Sequence, residues 1–319
     1  MTGGAGYVGS VIAARLAAAG HDVTVYDDLS RGHRAAVPPD ATFTEGDVRD
    51  TERLREVLAA TGCRAVVHMA ALAEVAESVA QAERYSDVNL GGTKALVDAA
   101  LATGVERVVF SSTAAVYGAP RRVPIEEDDP TEPANPYGET KLAAEAVLRE
   151  AAAAGGGRLS YIALRYFNAC GADRGYGEDH DPETHLIPIA LRAARDGAPL
   201  QVFGDDYPTP DGTCVRDYVH VVDLADAHIA ALHAPPVNVA INLGTGSGDS
   251  VLAVLAAVER VTGRPARYEF SGRRPGDPPV LVASNARAAD LLGWRPRLSL
   301  EQAVADAWAW LETHPFGYE

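Results

Sequence analysis

The chain has 319 residues, 47% of them hydrophobic and 23% charged, which suits one large or two ordinary domains and excludes a disordered chain. Its 28 basic residues stand against 44 acidic ones, a net charge of −16 that repels nucleic acid or an anionic membrane unless a basic patch is segregated. Three scattered cysteines (Cys63, Cys170, Cys214) form neither a disulfide framework nor a metal pattern, and no apolar run has the length of a membrane span, so a cytoplasmic protein is expected.

In chain order, a glycine-rich start leads into a helical stretch, Val8 to Ala19, followed by short β-branched runs at Val23–Tyr26 and Ala41–Thr44. Thr51 to Ala60 reads as a helix, Ala65–Met69 as a strand, Thr93 to Thr103 as a helix and Arg107–Phe110 as a strand. Gly20, Gly62 and Gly104 fall where helix C-caps belong. Strand and helix alternating at this period predict an α/β fold with a doubly wound parallel sheet. Beyond Asn168 the loops lengthen, as at Gly175–Pro182 and Gly204–Gly212, and helices are expected at Leu186–Arg195, Val222–His233, Ser250–Thr262 and Ser299–Glu312. This predicts a dinucleotide-type domain over 1–168, with the stretch near 216–235 a candidate to return to it, and a smaller mixed α/β substrate domain over 169–319. The cleft between them is the expected site.

Gly3-Gly-Ala-Gly6-Tyr-Val-Gly9 sets glycines at three-residue steps before the first helix, allowing a pyrophosphate to approach the helix N-terminal amides. Alone, the motif is equally well a bland glycine-rich turn. The next strand ends at Asp27 and Asp28, and Asp27 lies 18 residues past Gly9. A carboxylate there accepts hydrogen bonds from an adenosine ribose and repels a 2′-phosphate, which favours NAD over NADP; otherwise it is a solvated loop acid. In Asn135-Pro-Tyr137-Gly-Glu-Thr-Lys141, Asn135 suits an N-cap and Pro136 the first helical position, so Tyr137 and Lys141 share one helix face. A tyrosine serves as base near neutral pH when a nearby cation lowers its pKa from about 10. Only two lysines, Lys94 and Lys141, occur among the 28 basic residues, so a compact ammonium at this spacing invites a reason. Phe110-Ser-Ser-Thr113 adds hydroxyls at a strand's C-terminal end, a place where simple turn formers are also common.

With the stretch from Phe203 to His228, Leu164-Arg-Tyr-Phe-Asn168, Asn242 to Val251 and Arg273-Arg-Pro-Gly-Asp277, the whole chain resembles the extended short-chain dehydrogenase/reductase family, on its UDP-hexose 4-epimerase branch. The resemblance implies a Rossmann-type NAD-binding domain and reversible 4-epimerisation of UDP-glucose and UDP-galactose through a transient 4-keto sugar. It makes Tyr137 the catalytic base and acid, Lys141 its electrostatic partner and ribose ligand, and Thr113 the hydroxyl bridging tyrosine and sugar. It assigns the NAD contacts to Gly3, Gly6, Tyr7, Val8, Gly9, Asp27, Asp28, Asp47, Val48, Met69, Ala70, Ala71, Asn89, Tyr137, Lys141 and Tyr166. The UDP-hexose falls to Thr113, Tyr137, Asn168, His185, Leu186, Gln201, Val202, Phe203, Arg216, Arg274, Asp277 and Leu281, with Arg216 and Arg274 meeting the diphosphate charge. Asp223 and Asp226 read as supports of the fold. A homodimer through the helices near Thr93–Thr103 and Tyr137–Ala152 is also implied.

Family members often carry a lysine where this chain has Ala73, and a short apolar strand where only Met1 and Thr2 precede Gly3. The biological chain is therefore expected to begin upstream with a Val/Leu-rich run. The rival readings are a 4,6-dehydratase, a 4-ketoreductase and a non-catalytic dinucleotide sensor. Elimination chemistry needs an acid pair after the central hydroxyl, and Thr113 is followed by Ala114 and Ala115.

Overall fold

The computed structural model describes residues 1–274 and 276–318. Its strands are β1 (Thr24–Asp27), β2 (Thr42–Glu45), β3 (Ala65–His68), β4 (Arg107–Thr113), β5 (Ser160–Tyr166), β6 (Asn168–Cys170), β7 (Leu200–Phe203), β8 (Val215–Arg216), β9 (Tyr218–His220), β10 (Asn238–Leu243), β11 (Asp249–Ser250), β12 (Tyr268–Ser271) and β13 (Val280–Leu281). The helices are α1 (Tyr7–Ala18), α2 (Thr51–Thr61), α3 (Val75–Ala80), α4 (Ala82–Tyr85), α5 (Gly92–Thr103), α6 (Pro136–Ala154), α7 (Leu186–Asp196), α8 (Val221–His233), α9 (Val251–Thr262), α10 (Ala286–Leu292) and α11 (Leu300–Thr313).

All pairings in the main sheet are parallel: β1 with β2, and β3, β4, β5 and β10 in series. Between the two halves lies Thr2, which bridges Tyr26 on one side and His68 on the other. Its backbone is fully used there, since Thr2 N donates to Val67 O and Met69 N donates to Thr2 O, both at 3.0 Å. The order reverses at this point, which opens a crevice outside the strand ends. Strands β4 and β5 are buried on both faces, so they read as near-continuous apolar runs without alternation.

Local chemistry sets the helix ends. Asp50 accepts from Arg53 N at the start of α2, and Gly62 and Gly104 close α2 and α5 in the left-handed conformation. Gly20 instead lies one residue beyond the cap of α1. The polar segment from Val75 to Gly91 carries no strong period, yet folds as α3, α4 and a π-helical turn over Ser86–Gly91.

Residues 221–243 pack with the first half: α8 lies on α1, and β10 pairs with β5. Their apolar faces meet in one core that includes Val11, Ile12, Leu224 and Ile241. A second core gathers α7, α9 and α11 around Ile187, Leu191, Val254 and Val304. Two two-stranded sheets, β6–β9 and β7–β12, and one three-stranded sheet, β11–β8–β13, make up the other strand pairings. No helix among the described residues is long and apolar enough to cross a membrane.

Candidate active site

A cleft of about 670 Å³ opens at the C-terminal ends of the parallel strands. It is lined by Gly3, Gly6, Tyr7, Val8, Gly9, Asp27, Asp28, Val48, Met69, Ala70, Ala71, Thr113, Tyr137, Tyr166, Asn168 and His185 among others. Its floor is the start of α1, where Gly6 is an N-cap without a side chain and the first turn carries no acid. The amides of Tyr7 and Val8 therefore have no intrahelical partner and suit an anion. A Cβ at Gly9 would lie 2.1 Å from Gly3 O, so only glycine lets this turn close.

Asp27 ends β1 and is buried. Its Oδ2 accepts from Ala5 N at 3.0 Å and its Oδ1 from Leu29 N at 2.9 Å. Burial raises its pKa and those two amides oppose the rise. Each oxygen keeps a lone pair for a ribose hydroxyl, while a 2′-phosphate would face buried negative charge. Glycine turn, free helix amides and buried acid together fit a dinucleotide such as NAD.

Asn89 and Asp47 lie outside the lining of this cleft, whereas Tyr166 is part of it. Asn89 accepts from Leu72 N at 2.8 Å and donates to Leu72 O and Thr140 Oγ1, so it braces the loop after β3. Asp47 is bound to Arg49 and accepts the Tyr26 hydroxyl on its carbonyl. Tyr166 donates at 2.6 Å to Nε2 of His228, whose Nδ1 must donate to Leu224 O. Burial lowers the His228 pKa to about 4, which keeps that ring neutral.

The side chains expected to react come from two elements. Thr113 is the last residue of β4 and accepts from Ala115 N at 3.1 Å. Asn135 caps α6 through Gly138 N at 2.9 Å, with Pro136 in the first turn, as the spacing predicts. A Cβ on Gly138 would lie 2.6 Å from Ala115 O, so this glycine lets the start of α6 dock against the Thr113 turn and brings Tyr137 to it. Lys141, one turn later, is 2% exposed. Its Nζ donates to Ser111 O at 2.8 Å and lies 4.8 Å from the centre of the Phe110 ring.

The electrostatics differ from the sequence expectation. Burial pushes the Tyr137 phenol up to about 12, with Thr113 opposing and Glu74 adding to the rise. Burial also pulls Lys141 down to about 7, with Glu145 holding it up. A lysine that sheds its proton near neutrality carries little charge at the pH where such a phenol ionises. The polypeptide thus positions the pair, and lowering the phenol's pKa requires added positive charge in the cleft. Behind Lys141, Glu145 accepts from Arg165 Nε (2.9 Å) and Nη2 (2.7 Å) and from Ser112 Oγ (2.5 Å). Arg165 also donates to the Tyr117 hydroxyl, which donates to Asn242.

The remaining expected contacts, Leu186, Gln201, Val202, Phe203, Arg216, Arg274, Asp277 and Leu281, are not among the residues that line this cleft. Arg274 stacks 4.0 Å over the Phe203 ring, and Arg216 is paired with Asp277. Leu281 pairs in register with Arg216 and packs near Phe167. Gln201 is exposed and hydrogen-bonded to Glu269, whereas the Val202 side chain is buried in the second core. Leu186 packs against that same core at the start of α7. Asp223 accepts from Arg297 N and Leu298 N, and Asp226 pairs with Arg15 and Arg297, so both acids tie the halves of the chain together.

One group was not singled out from the sequence as a set, although His185 by itself was expected to meet the UDP-hexose. Glu178, His180, Glu183 and His185 bring one potential ligand atom each to within 4.8 Å of one another at the cleft wall. The spacing Glu-x-His-x-x-Glu-x-His was its available signal.

Residues 1–244 match the family model described as the NAD dependent epimerase/dehydratase family. A UDP-glucose 4-epimerase of Streptomyces lividans is 50% identical, over 100% of this chain and 97% of its own. Among solved structures, UDP-glucose 4-epimerase from Brucella ovis in complex with NAD aligns with a TM-score of 0.93 and 47% identity, covering 100% of this chain and 98% of that one. UDP-glucose 4-epimerase from Bifidobacterium longum in complex with NAD+ and UDP aligns with a TM-score of 0.93 and 37% identity, covering 99% and 98%.

Proposed function

The chain belongs to the NAD dependent epimerase/dehydratase family, and from that premise we propose that it interconverts UDP-glucose and UDP-galactose by NAD-dependent epimerisation at C4. The observation that carries the reading is the convergence of Thr113, Tyr137 and Lys141 beside a dinucleotide cleft, in a chain that keeps this relatedness over its whole length. The Tyr137 oxygen, as phenolate, takes the proton of the sugar's 4-hydroxyl and, as phenol, returns it after the sugar has turned. Thr113 Oγ1 stands between that phenol and the sugar oxygen, passing the hydrogen bond. The Lys141 side chain, held by Ser111 O, orients the ribose, and the added positive charge that the phenolate needs would come with the bound cofactor. A dinucleotide held by the α1 amides and Asp27 would supply the hydride acceptor and donor for C4 of the sugar. Arg216 and Arg274 hold the diphosphate of a substrate as acidic as the protein. Ala114 and Ala115 supply no acid for elimination, which disfavours a 4,6-dehydratase.

The protein works in the cytoplasm as a homodimer, an assembly supported by the family resemblance of α5 and α6 and by Leu101, exposed on α5. Light scattering after gel filtration measures the assembly. Proton NMR of the purified protein with UDP-galactose tests the activity: the UDP-glucose anomeric signal should grow without accumulation of NADH. Unchanged UDP-galactose after addition of NAD would sink the reading, and stoichiometric NADH would point to a dehydrogenase.

A further inference from the structure

Between β6 and α7 the chain runs along the cleft wall, and this segment carries two histidines and two glutamates whose donor atoms converge. The His185 Nδ1 lies 2.7 Å from Glu178 Oε1 and 3.2 Å from Glu183 Oε1, and His180 Nδ1 lies 3.2 Å from Glu178 Oε1. A tetrahedral ion with bonds of about 2.0 Å has donor atoms about 3.3 Å apart, close to these separations. The carboxylates are shielded, with side chains 8% and 3% exposed for Glu178 and Glu183. The backbone around them is tied down: Trp310 Nε1 donates to Glu178 O, and Thr184 Oγ1 donates to Glu74.

Hydrogen bonding among the four does not use up their donor capacity. Glu183 Oε1 accepts from the amides of Thr184 and His185, but its Oε2 is buried without a partner. His180 Nδ1 is likewise buried and makes no hydrogen bond of acceptable geometry. Unpartnered buried polar atoms are costly, and two of them at one convergence point ask for a ligand. Imidazole nitrogen with carboxylate oxygen is a donor set for a borderline divalent ion, zinc above the alkaline-earth ions, which prefer oxygen.

We propose that Glu178, His180, Glu183 and His185 form a binding site for one divalent transition-metal ion, zinc by preference, which cross-links the β6–α7 segment at the wall of the cleft. The ion replaces His–Glu ion pairs that the polypeptide otherwise makes. In those pairs the carboxyl of Glu178 is held below its usual range by His185 and His180 against the effect of burial, and Glu178 lifts the His185 ring well above an ordinary imidazole. Because His180 stands edge-on to Tyr7, with ring centres 6.1 Å apart, the cross-link also braces the residue that opens α1. The ion's place is in the wall, and no step of the epimerisation runs through it.

The test loads chelator-stripped protein with zinc chloride, desalts it, and measures metal by mass spectrometry. A parallel sample is loaded with cobalt(II), whose visible absorption reports four-coordinate geometry. About one zinc per chain and a tetrahedral cobalt spectrum are expected, with both lost in His180→Ala and in Glu183→Gln. His21→Ala, which breaks the separate histidine pair His21–His233, should retain the ion. Should His180→Ala fail to fold by circular dichroism, the isosteric Glu183→Gln decides. No retained metal, or retention unchanged in Glu183→Gln, overturns the site and leaves an ion-pair cluster.

Discussion

Replacing Glu145 with glutamine removes one negative charge from a buried network at nearly constant volume. In the native protein the Glu145 and Arg165 side chains are 7% and 6% exposed and joined by two hydrogen bonds, with Ser112 adding a third to the carboxylate. Glutamine keeps one acceptor but leaves the Arg165 guanidinium without a counter-charge, which in buried pairs costs about 3–5 kcal/mol. An unfolding entropy of about 2.1 cal/mol/K per residue over 319 residues gives about 0.7 kcal/mol/K, so the melting temperature should fall by about 4–8 °C. Differential scanning calorimetry measures that shift. The double variant Glu145→Gln/Arg165→Met removes the stranded charge and should recover much of the loss. Turnover should fall as well, because Glu145 is the group that opposes the burial-driven loss of the Lys141 proton. A melting temperature within about 1 °C of the parent in the single variant would refute the network's role, since a well-screened pair costs little to break.

Tyr137→Phe keeps the ring and removes the ionisable oxygen, so kcat should drop by about 10²–10⁴-fold with NAD still bound, measured by steady-state kinetics and NAD content; near-normal turnover would transfer the base to another residue. Asp27→Ala should weaken NAD and narrow the preference over NADP, because it removes both the ribose acceptors and the buried charge; equal affinities of the unmutated protein for the two, by calorimetry, would contradict that role. Leu281→Gly should raise kcat/KM for N-acetylated UDP-hexoses relative to the plain pair by about tenfold or more, the worth of a few methyl groups in a pocket. An unchanged ratio would leave Leu281 as packing beside Phe167.

Local rules carried much of this protein. The alternating β-branched and alanine-rich runs up to Arg107–Phe110 point to the parallel sheet, whereas β5, buried on both faces and carrying Arg165 within it, was not read as a strand. Asn135 and Pro136 set the start of α6, and with it the placing of Tyr137 and Lys141 on one face, since capping and helical period are properties of neighbouring residues. The helical run from Val75 to Gly91 escaped the sequence because its short helices draw their order from packing against α6, not from propensity. Ionisation was equally hidden: Lys141 looks in sequence like a cation beside a tyrosine, whereas burial against Phe110 and Ser111 brings its pKa down to about 7 and sends that of Tyr137 up to about 12. Burial is a sum over distant segments, so no window of sequence contains it. The same holds for Arg165 and Glu145, 20 residues apart in the chain and joined only by the sheet and helix that enclose them.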